Sequence, residues 1–403
     1  MRVPDLTAAL RSKGRIAARL VRARLPEAVS VRLLPPASRY DLESVPPPVP
    51  APDTPVRLFI GPANFAAQGY TWARAAERLD GVGAVNMQYR GHADYGFPAD
   101  YAVAENVWSF SRKWGMRQRD AVGSGFTHVL FEAERSLFGA AFDKVVAREA
   151  AWLRQRHVEV GMVCHGTDIR LPSRHARLDE WSPFRGADPQ WVGALEARAR
   201  ANHAILDRVG APVFVSTPEM LLDRPDSTWL PIVVDPNRWA TNAPVLERPV
   251  PIVLHAPTNP LVKGTNLIEP VVRALHTAGE VDYRRVEKTP ADRMPGLYAD
   301  ADVVLEQFAL GMYSVTSVEA MAAGRLVIAH VHDQVRDHVR EVTGLEVPVV
   351  SATPATLGAV LRDVVARPDH YREVAARGPA FVAAVHDGAY SARVLSAFLG
   401  VQT

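Results

Sequence analysis

The sequence predicts an α/β protein made of two doubly wound parallel-sheet domains, preceded by a basic N-terminal helix. Three observations lead there. From residue 56, short β-branched or apolar runs alternate with helical segments: "VRLFI", "AVNMQY", "THVLF", "VGMVCH" and "PVFVS". Strands that alternate with helices build parallel sheets covered on both faces. After about residue 245 the rhythm restarts with "PIVLHAP", "VDYRRV", "DVVLEQ" and "RLVIAH". Finally, 403 residues exceed one ordinary core, so two domains are the natural division.

The segments follow in order. Residues 1–32 carry Arg2, Arg11, Lys13, Arg15, Arg19, Arg22, Arg24 and Arg32 against only Asp5 and Glu27, with an apolar stripe on one helical face. Such a helix either packs its stripe on the protein's own surface, the commoner outcome, or lies on anionic lipid as a peripheral membrane contact. Residues 33–55 are rich in proline and read as an extended linker with little core of its own. Residues 56–244 and 245–382 form the two domains, and 383–403 a closing helix that packs back toward the first.

Composition excludes several classes. Nearly half the residues are apolar and the formal charge is +2, too small to argue for nucleic acid. No stretch approaches the roughly 20 apolar residues of a membrane span, and the first residues lack the apolar run of a secretory signal. The single cysteine, Cys164, permits no internal disulfide and fits a reducing cytoplasm.

In doubly wound sheets ligands bind where strands lead into helices. The first such loop, "GPANFAAQGYTWARAAERL", runs from Gly61 through Asn64, Gln68 and Gly69 into a helix. It suits a backbone approaching an anion, but the spacing is not the dinucleotide fingerprint, and a plain strand-to-helix turn explains it equally well. In "VGMVCHGTDIR" a buried strand delivers His165 and Asp168 to its carboxyl end; Asp168 as a helix cap and His165 as a structural residue is the slightly commoner outcome. In "HAPTNPLVKGTNL", Lys263, Gly264 and Thr265 precede an amphipathic helix, where an ammonium and aligned amides together seat a phosphate. A solvated lysine is the simpler alternative.

The stretch "GMYSVTSVEAMAAGRLVI" carries one glutamate, Glu319. Thr316 and Glu319 have capping-box spacing, and Gly324 closes the helix. The competing role for Glu319 is a charge-assisted acceptor for sugar hydroxyls. The Asp300 and Asp302 pair reads as polar junction residues rather than a cation site. No metal is called for, because the histidines form no H-E-x-x-H and no C-x-x-C exists.

Taken together, "HAPTNPLVKGT", "YADADVVLEQFALGMYSVTSVEAMAAGRLVI" and "CHGTDIR" resemble the retaining nucleotide-sugar glycosyltransferases of family four, over roughly residues 56–400. The resemblance implies the GT-B fold, two Rossmann-like domains facing across a cleft. It implies a nucleotide-sugar donor as substrate, no cofactor and no metal. It implies a hydroxyl-bearing acceptor, a glycoconjugate or a lipid-linked molecule that the basic helix suits. It places Lys263, Gly264 and Thr265 at the donor diphosphate and Glu319 at the donor ribose, with Gly311 and Ser314 in the same donor-binding stretch. His165, with Asp168 beside it, falls at the reaction centre, and the Gly61–Gly69 loop faces diphosphate and acceptor. Two departures stand out. Many members have a glutamate eight residues before Glu319, where this chain has Gly311. The arginine usual near the lysine is replaced by Thr258, Asn259 and Pro260, leaving Arg170 as a substitute. The alternatives are a degenerate GT-B protein that binds or partners without transfer, and a GT-B sugar-nucleotide epimerase.

Overall fold

A computed structural model describes residues 25–91 and 96–402. The basic segment therefore lies outside the described residues up to Arg24. Its remainder, a short helix over Glu27–Arg32, buries Val31 against the first domain.

Seven strands make the first sheet: β1 (Val56–Gly61), β2 (Val82–Arg90), β3 (Tyr101–Ala104), β4 (His128–Glu132), β5 (Glu159–Cys164), β6 (Val213–Val215) and β7 (Thr228–Trp229). They are parallel, in the order β3-β2-β1-β4-β5-β6-β7. The second sheet holds β8 (Ile252–His255), β9 (Asp282–Arg285), β10 (Val303–Leu305), β11 (Leu326–Ala329) and β12 (Val349–Ser351), also parallel, in the order β12-β11-β10-β8-β9. Central strands such as β10 and β11 are buried along their whole length, because helices cover both faces. In each sheet the chain order reverses between the first strand and a neighbour, β1 with β4 and β8 with β10. Those two switch points open the crevices where ligands enter such folds.

One apolar core runs from the first sheet through Ile232, Val234 and Trp239 to Tyr313, Phe381 and Val385 of the second domain. The helix Ala389–Leu399 buries Ala392, Leu395 and Leu399 beside Leu58 and Trp72 of the first domain. The proline-rich stretch corrects the linker reading. It buries Leu34, Tyr40 and Val49 in the first core, and its backbone is tied down by Val49 N–H to Gln118 (3.0 Å) and by the Tyr101 hydroxyl to the Pro47 carbonyl (2.8 Å). Prolines lack a donor, but their carbonyls still accept.

Candidate functional site

On the first domain's side, Glu132 organises everything around the switch point. It ends β4, is fully buried, and its carboxylate accepts the amides of Ala63 and Asn64, each at 3.0 Å. The same group faces His165 Nε2 at 3.1 Å. Gly69 permits this: a Cβ there would lie 2.9 Å from both Glu132 oxygens and 2.5 Å from the Asn86 amide. The loop amides expected to meet a ligand are thus held by the protein itself. Asn64 is buried too, bonded to Gln88 and the Pro98 carbonyl, and Gln68 clasps Val233 by both N–H and carbonyl (2.8 and 3.1 Å). Gly61 ends β1 against Met87.

His165 leaves β5 with its ring between Phe65 and Trp72, centroids 5.2 and 5.4 Å away. Asp168 does not cap the following helix. It closes its own turn, accepting the amides of His165 (2.7 Å) and Gly166 (2.5 Å). Arg170 is buried in an ion pair with Glu219, not beside Lys263.

On the second domain's side, Lys263 ends a short helix capped by Asn259, and left-handed Gly264 turns the chain into the helix Thr265–Thr277. Thr265 is buried and bonded to His255 (2.9 Å); burial lowers the His255 pKa to about 4, so its ring is neutral. Lys263 reaches instead across the switch point. Its ammonium pairs with Glu306, just past β10, and lies 3.0 Å from the Ser314 hydroxyl. Glu306 also accepts the Ser314 hydroxyl (2.7 Å) and amide (3.3 Å) and the Ser317 hydroxyl (2.9 Å). Ser314 and Ser317 begin the helix Val315–Ala322, so a carboxylate sits at a helix N-terminus beside an ammonium.

The capping box does not form. This helix starts at Val315 after Ser314, without a side-chain cap bond, so Thr316 falls inside its first turn. Gly324 does end it, at φ +65°. Glu319 is half-buried and accepts the Tyr298 hydroxyl at 3.2 Å. Burial pushes its carboxyl up to about 8, against the opposing pull of Tyr298, Arg238 and Lys263. Gly311 has φ +68°, and a Cβ there would fall 2.2 Å from the His332 ring. That ring fills the place where a side chain at 311 would begin. Asp302 is structural: its carboxylate accepts the amides of Leu246 (2.7 Å) and Ile252 (2.8 Å).

Between the domains lies a cavity of about 340 Å³. His165, Asp168 and Gln68 line it from one side and Met312, Ser314 and Val315 from the other, with Arg135 and Arg198 adding cationic groups. Of the predicted residues, His165, Asp168, Gln68 and Ser314 meet there. Lys263 is one contact behind Ser314, while Thr265, Gly61, Asn64 and Gly69 support the walls without lining it. Sequence reasoning passed over Glu132, Glu306 and Arg135. The signal was present: "VLFEAER" and "VVLEQ" each set a charge at a buried strand's carboxyl end, the rule that found His165.

No protein-family model matches the sequence, and no curated protein matches it significantly. Solved structures do match. Sucrose-phosphate synthase from Thermosynechococcus elongatus superposes with a TM-score of 0.54 at 13% identity, over 84% of this chain and 97% of that one. HepE from Anabaena, solved with UDP and glucose, gives 0.55 at 12%, over 85% and 98%. A glycosyltransferase from Rickettsia africae gives 0.51 at 11%, over 85% and 97%. The fold is GT-B. At these identities the likeness establishes the fold, and the GT-B glycosyltransferases are this chain's structural neighbours. Among the described residues no helix is long and apolar enough to cross a membrane.

Proposed function

We propose that this chain is a retaining, metal-independent glycosyltransferase that moves a sugar from a nucleotide-sugar donor to an acceptor hydroxyl. One observation carries this reading. Lys263, the Ser314 amide and hydroxyl, the Ser317 hydroxyl and a helix N-terminus converge at the second sheet's switch point, and what they hold is an anion, the Glu306 carboxylate. A donor diphosphate carries more charge and more acceptor oxygens than one carboxylate, so it competes for the same donors. In that pose Lys263 and the helix start stabilise the charge that builds on the leaving diphosphate. Glu319, on the same helix, meets the ribose. His165, flanking the cavity, lines the reaction centre beside Asp168, whose turn fixes the backbone that presents it. The first domain holds the acceptor, with Arg135 and Arg198 as its cationic contacts. Neighbours of known content support the donor class, since HepE was solved with UDP and glucose.

A second reading, a GT-B protein that binds without transferring, draws on the same carboxylate: Glu306 already neutralises Lys263, and Arg170 is committed to Glu219. Calorimetry against UDP, GDP and ADP, then turnover of the matching nucleotide sugars, separates the two. Transfer is expected, with Lys263→Ala and Glu319→Ala each weakening nucleotide binding while circular dichroism stays unchanged. Binding without turnover favours the second reading. Unchanged affinity in both variants sinks the site assignment.

A further inference from the structure

Away from the donor seat, three side chains from both domains converge. Asp179 follows the helix Pro172–Leu178 of the first domain, while His330 and His332 leave β11 of the second. His332 and Asp179 are 153 positions apart in sequence. Both imidazole Nε2 atoms point at one carboxylate oxygen, Asp179 Oδ2, at 3.3 Å from His330 and 2.9 Å from His332. The ligand-type atoms of all three lie within 4.8 Å of one another.

The surroundings hold this geometry. The other carboxylate oxygen, Oδ1, is fixed by the Trp181 amide at 2.7 Å, which leaves Oδ2 facing the histidines. The histidine backbones are anchored by His330 N–H to the Gln307 carbonyl (2.7 Å) and His332 N–H to the Gly311 carbonyl (2.9 Å). Their spacing, i and i+2 on extended backbone, turns both side chains to one side. Gly311 provides the room for the His332 ring.

We propose that Asp179, His330 and His332 form a divalent transition-metal site of zinc type that ties the two domains together across the cleft. Imidazole nitrogens and a carboxylate suit zinc, with metal bonds of about 2.0–2.2 Å. In a tetrahedral site such bonds set ligand atoms roughly 3.3 Å apart, close to the separations seen. Two imidazoles and one carboxylate leave the fourth position for water. The Asp179 side chain is 2% exposed but those of His330 and His332 are 15% and 20% exposed, so an ion enters from solvent on the histidine side. Because the ligands come from both domains, the ion binds the arrangement that brings them together and stabilises it by mass action. The site is independent of the transfer reading, and no step of that chemistry passes through it.

The test uses the full chain, stripped with EDTA and titrated with zinc chloride by calorimetry and with cobalt(II) by visible absorption. One equivalent of zinc is expected, with cobalt bands of four- or five-coordinate nitrogen and oxygen ligation. His330→Ala and His332→Ala are each expected to weaken zinc binding by more than the roughly 10–100-fold that loss of an outer-shell partner costs. Asp179→Asn keeps the side-chain volume should an alanine variant fail to fold, and is expected to abolish the zinc-induced rise in Tm. Exposed His370 serves as a control, His370→Ala leaving the titration unchanged. Absence of stoichiometric zinc binding by the unmodified chain, or wild-type affinity in both His330→Ala and His332→Ala, overturns the proposal and leaves only hydrogen bonds among these three side chains.

Discussion

The two faces of the cleft are built alike and tied differently. Each places a buried glutamate just at or past the strand that neighbours the first strand of its sheet, Glu132 at β4 and Glu306 at β10, and each glutamate holds the loop after that first strand. Glu132 takes backbone amides, which cannot leave without moving the chain. Glu306 takes one backbone amide, that of Ser314, but its other donors are a lysine ammonium and two serine hydroxyls, which can turn to another anion by rotating side chains. The first face is therefore a fixed wall and the second an exchangeable seat. The difference lies in the donors: those of Glu132 include two fixed in the backbone, while most of those of Glu306 sit on rotatable side chains.

The largest expected effect breaks the fixed wall. Glu132→Ala leaves the Ala63 and Asn64 amides and His165 without their buried acceptor, at a cost of about 3–5 kcal/mol in urea unfolding. Glu132→Gln keeps one carbonyl acceptor and should lose much less. Should Glu132→Ala prove neutral, the loop is not held as described. Next comes Glu319 on the exchangeable side. Its folded pKa of about 8 lies above the unfolded carboxyl value, so the native state binds the extra proton between those two values. The associated stability is complete below about pH 4.3 and lost as pH rises toward 8. Allowing for solvent screening of a half-buried group, the difference is about 2 kcal/mol. Glu319→Gln cannot titrate, so its urea midpoint should fall less than the wild type's between pH 5 and 8. Buried Glu149, also pushed up to about 8, is common to both proteins and cancels. Parallel pH profiles would remove Glu319 from this account.

Much of this was legible in the sequence, and what was missed has physical reasons. All nine runs read as strands are strands. The three not read, β3, β7 and β12, are each at a sheet edge. Edge strands are short and half-exposed, so they lack the continuous apolar run of a buried strand; β3 is buried only at alternate residues. Lys263 and His165 were singled out because they follow strong strands, and Ser314 because it lies in the stretch that resembles the family's donor-binding segment. Glu132 and Glu306 escaped because a charge beside an apolar run reads as a boundary, not as a hub. The mistaken capping box shows the limit of spacing: Thr316 has the right neighbour at 319, but the helix begins two residues earlier than a cap at 316 allows. Of the Asp179, His330 and His332 cluster only the two histidines, spaced i and i+2 after β11, had a local signal; Asp179 lies 153 positions from His332, and folding alone brings it there.

A sharper test of the exchangeable seat is Glu306→Gln. If carboxylate and donor phosphate compete for Lys263 and the serine hydroxyls, removing the charge frees the ammonium and relieves repulsion of the incoming diphosphate. UDP, or whichever nucleotide the calorimetric panel selects, should bind about tenfold more tightly, equivalent to about 1.4 kcal/mol. Unchanged or weaker binding would mean that Glu306 shapes the seat rather than fills it, making the second face as fixed as the first.

The smallest effect asks whether Gly311 is a missing glutamate or a required glycine. At φ +68° a side chain costs about 1 kcal/mol from backbone strain alone. A Cβ would also press on the His332 ring, whose Nε2 is held 2.9 Å from Asp179. Gly311→Ala should therefore lower Tm slightly and loosen His332 from Asp179. Gly311→Glu, which restores the carboxylate common in the resembled family, should not raise nucleotide affinity, because Glu306 already supplies a carboxylate to this face and His332 blocks the path of the new one. Gain of affinity in Gly311→Glu would show instead that the ring yields easily, and that the second face adapts to substitution as readily as it is proposed to exchange anions.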